Sequence, residues 1–314
     1  MPELRVPEVA GARGGDLAAV LRATRQRLAA AGVPSPAADA DLLAGHVLGL
    51  GLGELRAAAL RGAALAPEQA GELAALVARR EAREPLQHLL GTAPFRRLEL
   101  LVGPGVFVPR PETETTAGLA VEAAAAVAAT GRSPLVVDLC TGSAAIALAV
   151  ADEVPTARVV AVELDPAARA WAQRNVQGHS QDGGAGDRVR LVAGDATSPE
   201  VIPDLDGDVD VVVSNPPYVP PGAVPREPEV RDHDPALALW GGGDDGLLVP
   251  RGVLARAAAL LRPGGFVVVE HAEVQGAALR ALLVAPTWVG ATTHDDATGR
   301  PRATSARLAQ PAAG

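Results

Sequence analysis

Apolar positions in the first quarter of the chain recur at helical spacing. Leu17, Val20, Leu21 and Leu28 follow Asp16, which places them on one stripe of a helix that Asp16 can cap. Ser35 and Pro36 read as the cap and first position of a second helix, running through Leu42, Leu43, Val47 and Leu48 to Gly49. Pro67 opens another, carrying Leu73, Leu76 and Val77. Residues 16–84 therefore predict a small helical bundle. From Pro85 the period is lost. Residues 85–111 are punctuated by Gly91, Pro94, Gly103, Pro104, Gly105 and Pro109 with short apolar runs between, which predicts a hairpin-like connector.

After a helix from about Glu112 to Ala129, strands and helices alternate. Strands are predicted at Leu135–Leu139, Val159–Glu163, Val189–Val192, Val209–Ser214 and Phe266–Glu270, with helical patterns over 144–151, 166–176 and 247–261. This alternation implies right-handed βαβ crossovers and a mostly parallel sheet, so residues 112–314 predict a doubly wound α/β domain. The Gly-rich, polar stretch Gly178–Asp187 has no period and is expected to be a mobile surface loop.

The length of 314 residues accommodates both domains. With 48% hydrophobic but only 2% aromatic residues, the core must be built from Ala, Val and Leu. All 28 basic residues are Arg, and Ala, Gly and Pro are abundant, the mark of GC-rich coding; much of the Ala is therefore read as uninformative. The net charge of −9 disfavours affinity that rests on neutralising many phosphates, so no direct nucleic-acid partner is expected. The single cysteine, Cys140, excludes an intramolecular disulfide and a cysteine-cluster metal site; it fits a reducing cytoplasm, and no metal is expected. Residues 1–15 lack the apolar core of a signal peptide and are expected to form a loose tail. The longest apolar run, Leu119 to Ala129, contains Glu122 and falls well short of the ~20 residues that span a bilayer. No membrane partner is expected.

Two stretches carry candidate chemistry. Residues 136–144, Val-Val-Asp-Leu-Cys-Thr-Gly-Ser-Ala, are a strand running through a tight turn into a helix, where a parallel sheet binds a nucleotide-like ligand. Of three glycines in a G-x-G-x-G turn only Gly142 is present; Cys140 and Ala144 occupy the outer positions, with Thr141 and Ser143 between. Glu163 ends the next strand 21 residues after Gly142, where an acid can accept from both hydroxyls of a ribose; it also stands where it could cap the helix opening at Pro166. Asp195, after the third strand, can accept from an adenine amino group.

The second stretch is Asn215-Pro216-Pro217-Tyr218, at the end of the strand Val209–Ser214. Two prolines fix the backbone and remove two N–H donors, leaving carbonyls free to accept. Tyr218, the only tyrosine, offers a flat ring beside those acceptors. If the Asn215 side-chain oxygen and the Pro216 carbonyl take the two N–H groups of a planar amide or amine, its nitrogen is aimed at an electrophilic methyl group, and no strong base is needed. Asn215, Pro216 and Tyr218 are the catalytic candidates, and Asn215 to Tyr218 the substrate-binding ones.

These stretches, with Phe107-Val108-Pro109-Arg110-Pro111-Glu112-Thr113-Glu114, Gln173-Arg174-Asn175, Arg231-Asp232-His233-Asp234-Pro235, Leu261-Arg262-Pro263-Gly264-Gly265 and Gly299-Arg300-Pro301-Arg302, resemble the HemK/PrmC family over nearly the whole chain. That family methylates the glutamine of the Gly-Gly-Gln motif in class I peptide chain release factors. The resemblance implies a Rossmann-like seven-stranded domain using S-adenosyl-L-methionine, behind an N-terminal helical domain for release factor recognition and a β-hairpin connector. It implies a cofactor site of residues 140–144, Glu163, Ala196 and Asn215, and closure of the site by Phe107, Arg110, Pro111 and Glu112. Three positions depart from the family. Ala144 replaces glycine and is expected to crowd the cofactor, Glu163 stands where Asp is usual, and Ala196 offers adenine no aromatic surface. A monomer in the cytoplasm is expected. Two other readings stay open, an adenine or guanine amino methyltransferase and an inactive cofactor-binding protein.

Overall fold

The computed structural model describes residues 15–181 and 183–310. Nearly all of the expected tail lies outside them. The chain forms two compact units, one ending at Leu90 and the other beginning at Gly91.

The first unit is the predicted helical bundle. It comprises α1 (Leu17–Ala30), α2 (Pro36–Leu48), α3 (Leu52–Leu60), α4 (Pro67–Glu81) and α5 (Leu86–Leu90). Asp16 caps α1 as expected, its carboxylate accepting from Ala19 N at 3.0 Å. Ser35 precedes α2 without a side-chain cap; Pro36 supplies the helical φ there instead. The stripe of α1 closes on Leu43, Leu55, Leu73 and Val77, all buried. The short α3 goes beyond the predicted helices; its polar entry is made at Gly51 N, which donates to Glu54 Oε2 at 3.0 Å. The five residues of α5 stand in what reads as connector.

The second unit opens with an antiparallel hairpin, β1 (Thr92–Phe95) and β2 (Leu98–Leu101). Its turn residue Arg96 pairs with Glu153, and Asn175 brackets Leu101, accepting from its N–H at 2.7 Å and donating to its carbonyl at 3.0 Å. The hairpin is thereby fastened to the α/β domain. There follow α6 (Thr113–Ala128), β3 (Leu135–Leu139), α7 (Ala145–Glu153), β4 (Arg158–Glu163), α8 (Pro166–Gly178), β5 (Val189–Ala193) and β6 (Val209–Ser214). The chain ends through α9 (Pro228–His233), α10 (Ala236–Leu239), α11 (Leu248–Leu260), β7 (Leu261–Glu270), α12 (Gly276–Leu282), β8 (Trp288–Asp295) and β9 (Pro301–Leu308).

Seven strands form one sheet in the order β5-β4-β3-β6-β7-β9-β8, parallel except for β9 and β8. All five predicted strands are present; β7 starts five residues earlier, at Leu261, through a bulge opposite Val209 to Val211. The pair β8 and β9 escaped the pattern because β8 is a half-exposed edge strand carrying Thr292, Thr293, His294 and Asp295. Among the described residues no helix is long and apolar enough to cross a membrane.

One expectation is narrowed and another corrected. In the stretch Gly178–Asp187, Gly178, Gln181, Gly183 and Asp187 are exposed as a surface loop requires, while Ala185 and Gly186 are buried, and a Cβ on Gly186 would lie 2.0 Å from the Val176 carbonyl oxygen. Close backbone approach accounts for Gly184 and Gly186, and a positive φ of 79° for Gly183. Nor is the Ala content empty. Ala117, Ala120 and Ala124 are fully buried on α6, Ala147, Ala149 and Ala151 nearly or fully so on α7, and these small faces let both helices lie close on the sheet. Ala120→Leu should therefore overpack the interface and cost about 1–3 kcal/mol, read as a lowered denaturation midpoint.

Candidate active site

Chain order in the sheet reverses between β3 and β6: β4 and β5 run outward on one side of β3, and β6 and β7 on the other. Loops leaving the carboxyl ends of two such strands diverge and open a crevice. Leu139 lies in register with Ser214, and Ser214 Oγ donates to the Leu139 carbonyl at 2.6 Å. Cys140 and Asn215, the next residues on each strand, are thus neighbours by construction. A cavity of about 390 Å³ opens here. Among the predicted residues, Cys140, Thr141, Gly142, Ser143, Glu163, Asp195, Ala196, Asn215, Pro217 and Tyr218 line it, with Phe107, Arg110 and Glu112. Ala144, Pro216 and Pro111 do not.

Asp138 shapes the turn after β3. Its buried Oδ2 accepts from Thr141 Oγ1 at 2.5 Å and Ala147 N at 3.1 Å, pinning the turn to the start of α7. Burial raises the Asp138 pKa to about 7 against the pull of these donors. Cys140 and Ala144 hold φ of 64° and 66°, a region costly by about 1–2 kcal/mol for residues other than glycine. The Ala144 amide is spent on the Thr141 carbonyl at 2.9 Å, and its methyl is buried in the core. The cost of Ala at this position is backbone strain; it does not crowd the cavity. Gly142 faces open space, with nothing within 4 Å of where a Cβ would stand. Asn175 Nδ2 also donates to the Ser143 carbonyl at 3.0 Å, so one side chain braces the turn and the hairpin.

Glu163 Oε2 accepts from Gly142 N at 2.7 Å and Oε1 from Asp165 N at 2.8 Å. The cap of α8 is Asp165, which accepts from Ala167 N at 2.8 Å, so the capping role weighed for Glu163 falls elsewhere. Each Glu163 oxygen keeps a lone pair beside the cavity, the pair of acceptors that a ribose diol needs. Burial raises the Glu163 pKa, opposed by the amides of Asp165 and Gly142. Asp195 is exposed, and its Oδ1 holds its own loop through Thr197 N at 2.8 Å and Thr197 Oγ1 at 2.7 Å. Ala196 forms a buried apolar wall. An open glycine turn, a diol acceptor and an apolar wall around this volume suit a nucleoside-bearing ligand.

At the other end, Asn215 Nδ2 donates to Thr113 Oγ1 at 3.3 Å. Thr113 Oγ1 and Thr116 Oγ1 donate to Glu270 Oε1 and Oε2 at 3.2 and 3.0 Å. Among the described residues no donor reaches Asn215 Oδ1. Burial, then nearby Glu270, raises the pKa of the Tyr218 phenol, which stays neutral at physiological pH. The Tyr218 carbonyl accepts from buried Gln275 at 2.9 Å, and a Cβ on Gly246 would lie 2.3 Å from it. Pro216 is buried and Pro111 exposed, and neither is among the residues that line the cavity. Arg110 pairs with buried Asp234 at 2.8 Å and lies over the Phe107 ring at 5.0 Å, joining the segment before α6 to the end of α9. Leu237, Leu239 and Trp240 add an apolar outer wall.

Thr113 and Asp234 stand within stretches that resemble the family and Glu270 at a predicted strand end, but the sequence assigns none of them a role. Glu270 had a signal, an acid at the carboxyl end of a parallel strand, as Glu163 is. Thr113 and Asp234 act through partners more than a hundred residues distant, which no local pattern reveals.

Residues 19–91 match the PrmC N-terminal domain and residues 98–226 the methyltransferase small domain. The release factor glutamine methyltransferase of Streptomyces coelicolor is 50% identical over 94% of this chain and 99% of its own. That of Mycolicibacterium smegmatis is 46% identical over the same shares, 94% and 99%. A 4-amino-L-phenylalanine/4-methylamino-L-phenylalanine methyltransferase of Streptomyces pristinaespiralis is 40% identical over 85% of this chain and 86% of its own.

Burial, then the charge of Glu163, pushes the Cys140 thiol up. The thiolate is the reactive form, so alkylation of the native protein at pH 8, followed by mass spectrometry, should be at least ~10-fold slower than in denaturant.

Proposed function

Because this chain belongs to the release factor glutamine methyltransferase family, we propose that it methylates the side-chain amide nitrogen of the glutamine in the Gly-Gly-Gln motif of class I peptide chain release factors, using S-adenosyl-L-methionine and leaving S-adenosyl-L-homocysteine. The observation that carries this reading is Asn215: its amide N–H is anchored to Thr113, while among the described residues its oxygen has no donor at the cavity wall.

When bound, S-adenosylmethionine supplies a methyl group on positively charged sulfur. Glu163 would hold the ribose hydroxyls on its free lone pairs, the turn 140–143 would lie along the amino-acid end, and Ala196 would pack on adenine with Asp195 beside it. Asn215 Oδ1 accepts one N–H of the substrate amide, which fixes the plane of the nitrogen and stabilises the positive charge that develops on it as the new N–C bond forms. Tyr218 and Pro217 form the adjoining surface for the planar group. Tyr218 is neutral, and Glu270 does not line the cavity, so neither serves as a base. The sulfur–methyl bond would break as the nitrogen–methyl bond forms, leaving a neutral thioether and the positive charge on the amide nitrogen; that cation is a far stronger acid than the amide it came from and loses its proton to water. Arg110 and Asp234 hold the rim together with Phe107 and Glu112.

The helical unit would recognise the body of the release factor, and the protein would act as a cytoplasmic monomer without binding nucleic acid. The net charge of −9 supports the last point.

With labelled S-adenosylmethionine, one methyl group should pass to the Gly-Gly-Gln glutamine of a release factor. Labelling of ribosomal RNA or of free 4-amino-L-phenylalanine, with the release factor unlabelled, would overturn the substrate; no cofactor binding by calorimetry would overturn the enzyme. Asn215→Ala should lower kcat by about 10²–10³ while mostly sparing the cofactor Kd. Glu163→Ala should weaken cofactor binding by about 1.5–3 kcal/mol, the range for hydrogen bonds to a charged group.

A further inference from the structure

The orientation of the Asn215 amide has a cause two hydrogen bonds away. An amide side chain offers an acceptor at one end and donors at the other, and the two ends are nearly the same shape. Only one orientation presents an acceptor to the cavity. Glu270 lies buried at the end of β7 and as a carboxylate can only accept. The Thr113 hydroxyl has a single hydrogen, which goes to Glu270 Oε1 at 3.2 Å, while Thr116 takes Oε2 at 3.0 Å. What Thr113 Oγ1 then shows Asn215, 3.3 Å away, is a lone pair, and the amide must answer with Nδ2. Oδ1 is left for the substrate.

We propose that Glu270 and Thr113 are positioning residues that set the flip of the Asn215 amide, holding its oxygen toward the substrate nitrogen. This rests on the acceptor role of Asn215 stated above. A protonated Glu270 reverses the logic: its O–H donates to Thr113, the Thr113 hydrogen turns to Asn215, and the flipped amide is satisfied equally well. Burial raises the Glu270 pKa to about 7, against the pull of Thr116 and of Arg302 on β9. The other groups facing it are Thr113, Glu112 ahead of α6 and the neutral Tyr218 phenol after β6. His271, next along β7, is turned to Thr304 and the Ala272 carbonyl, and burial lowers its pKa. Glu270 thus loses its proton as pH rises through about 7, and the productive flip gains population in the same direction.

The test compares kcat of wild type, Thr113→Val, Thr113→Ser and Glu270→Gln between pH 6 and 8 on a release factor, with cofactor Kd and the melting curve measured on each preparation. Wild-type kcat should rise with pH through one ionisation near 7. Thr113→Val should lose about tenfold in kcat, the worth of one orienting hydrogen bond, at unchanged cofactor Kd, and Thr113→Ser should recover it. Glu270→Gln, which keeps an acceptor but cannot ionise, should flatten the profile. Wild-type kcat in Thr113→Val, equal loss in Thr113→Ser, or a wild-type pH rise in Glu270→Gln would each overturn the relay. If Thr113→Val does not fold, the Glu270→Gln profile decides alone. An active Asn215→Ala would overturn the acceptor role itself; an inactive one beside an unimpaired Thr113→Val would overturn only the relay.

Discussion

The pairing of β3 with β6 is the constraint on which the site depends. These strands are adjacent in the sheet but separated in sequence by two outward crossovers, and their register sets Leu139 against Ser214. The Ser214 hydroxyl tightens that register at the rim of the sheet. Everything that follows each strand inherits the juxtaposition. The turn at Cys140 to Ser143 and the segment from Asn215 to Tyr218 meet across the cavity because neither loop has room to wander before its first functional residue. A one-residue slip would exchange the inward and outward faces of β6 and carry Asn215 away from the turn.

Around that junction the chain places buried acids and gives each a set of donors. Asp138 is held by Thr141 and Ala147, Glu163 by Gly142 and Asp165, and Glu270 by Thr113 and Thr116. All three are raised in pKa by burial, and all three act on backbone turns or polar side chains. Hydroxyl and amide donors in a low-dielectric interior fix position more than they supply charge. That suits a reaction whose nucleophile is an uncharged amide, where alignment is the main requirement. Small residues underneath make it possible: the alanine faces of α6 and α7 bring Thr113, Thr116 and Ala147 within reach of the strand ends.

In the role proposed for it, Asn215 would select a planar nitrogen without selecting what carries it. A relative at 40% identity is named for an aromatic amine, and others at 42 to 50% for a glutamine amide. On that reading, discrimination between such substrates would fall to the walls beyond Asn215, where Leu237, Leu239, Trp240 and the Arg110 to Asp234 pair stand.

Periodicity alone was enough for the five parallel strands, the crossover helices and the bundle, because a buried strand or an amphipathic helix must repeat its apolar residues in step with its own geometry. Proline and the lone tyrosine marked residues 215–218, and spacing marked Glu163, since strand lengths and turn sizes hardly vary at such a site. Polar edge strands such as β8 carry too little apolar pattern to be read, and the five-residue α5 is too short. Whether Ala144 faced the ligand or the core depended on a left-handed backbone angle, and whether Glu163 or Asp165 capped α8 on a choice between adjacent acids. Composition suggested that alanine meant little, whereas close packing made it the condition for two helices to approach the sheet. The partners Thr113 to Glu270 and Arg110 to Asp234 join residues 157 and 124 positions apart. Local sequence carries the elements and the motifs; which side chain answers which, across such separations, was decided only when the sheet brought the strand ends together.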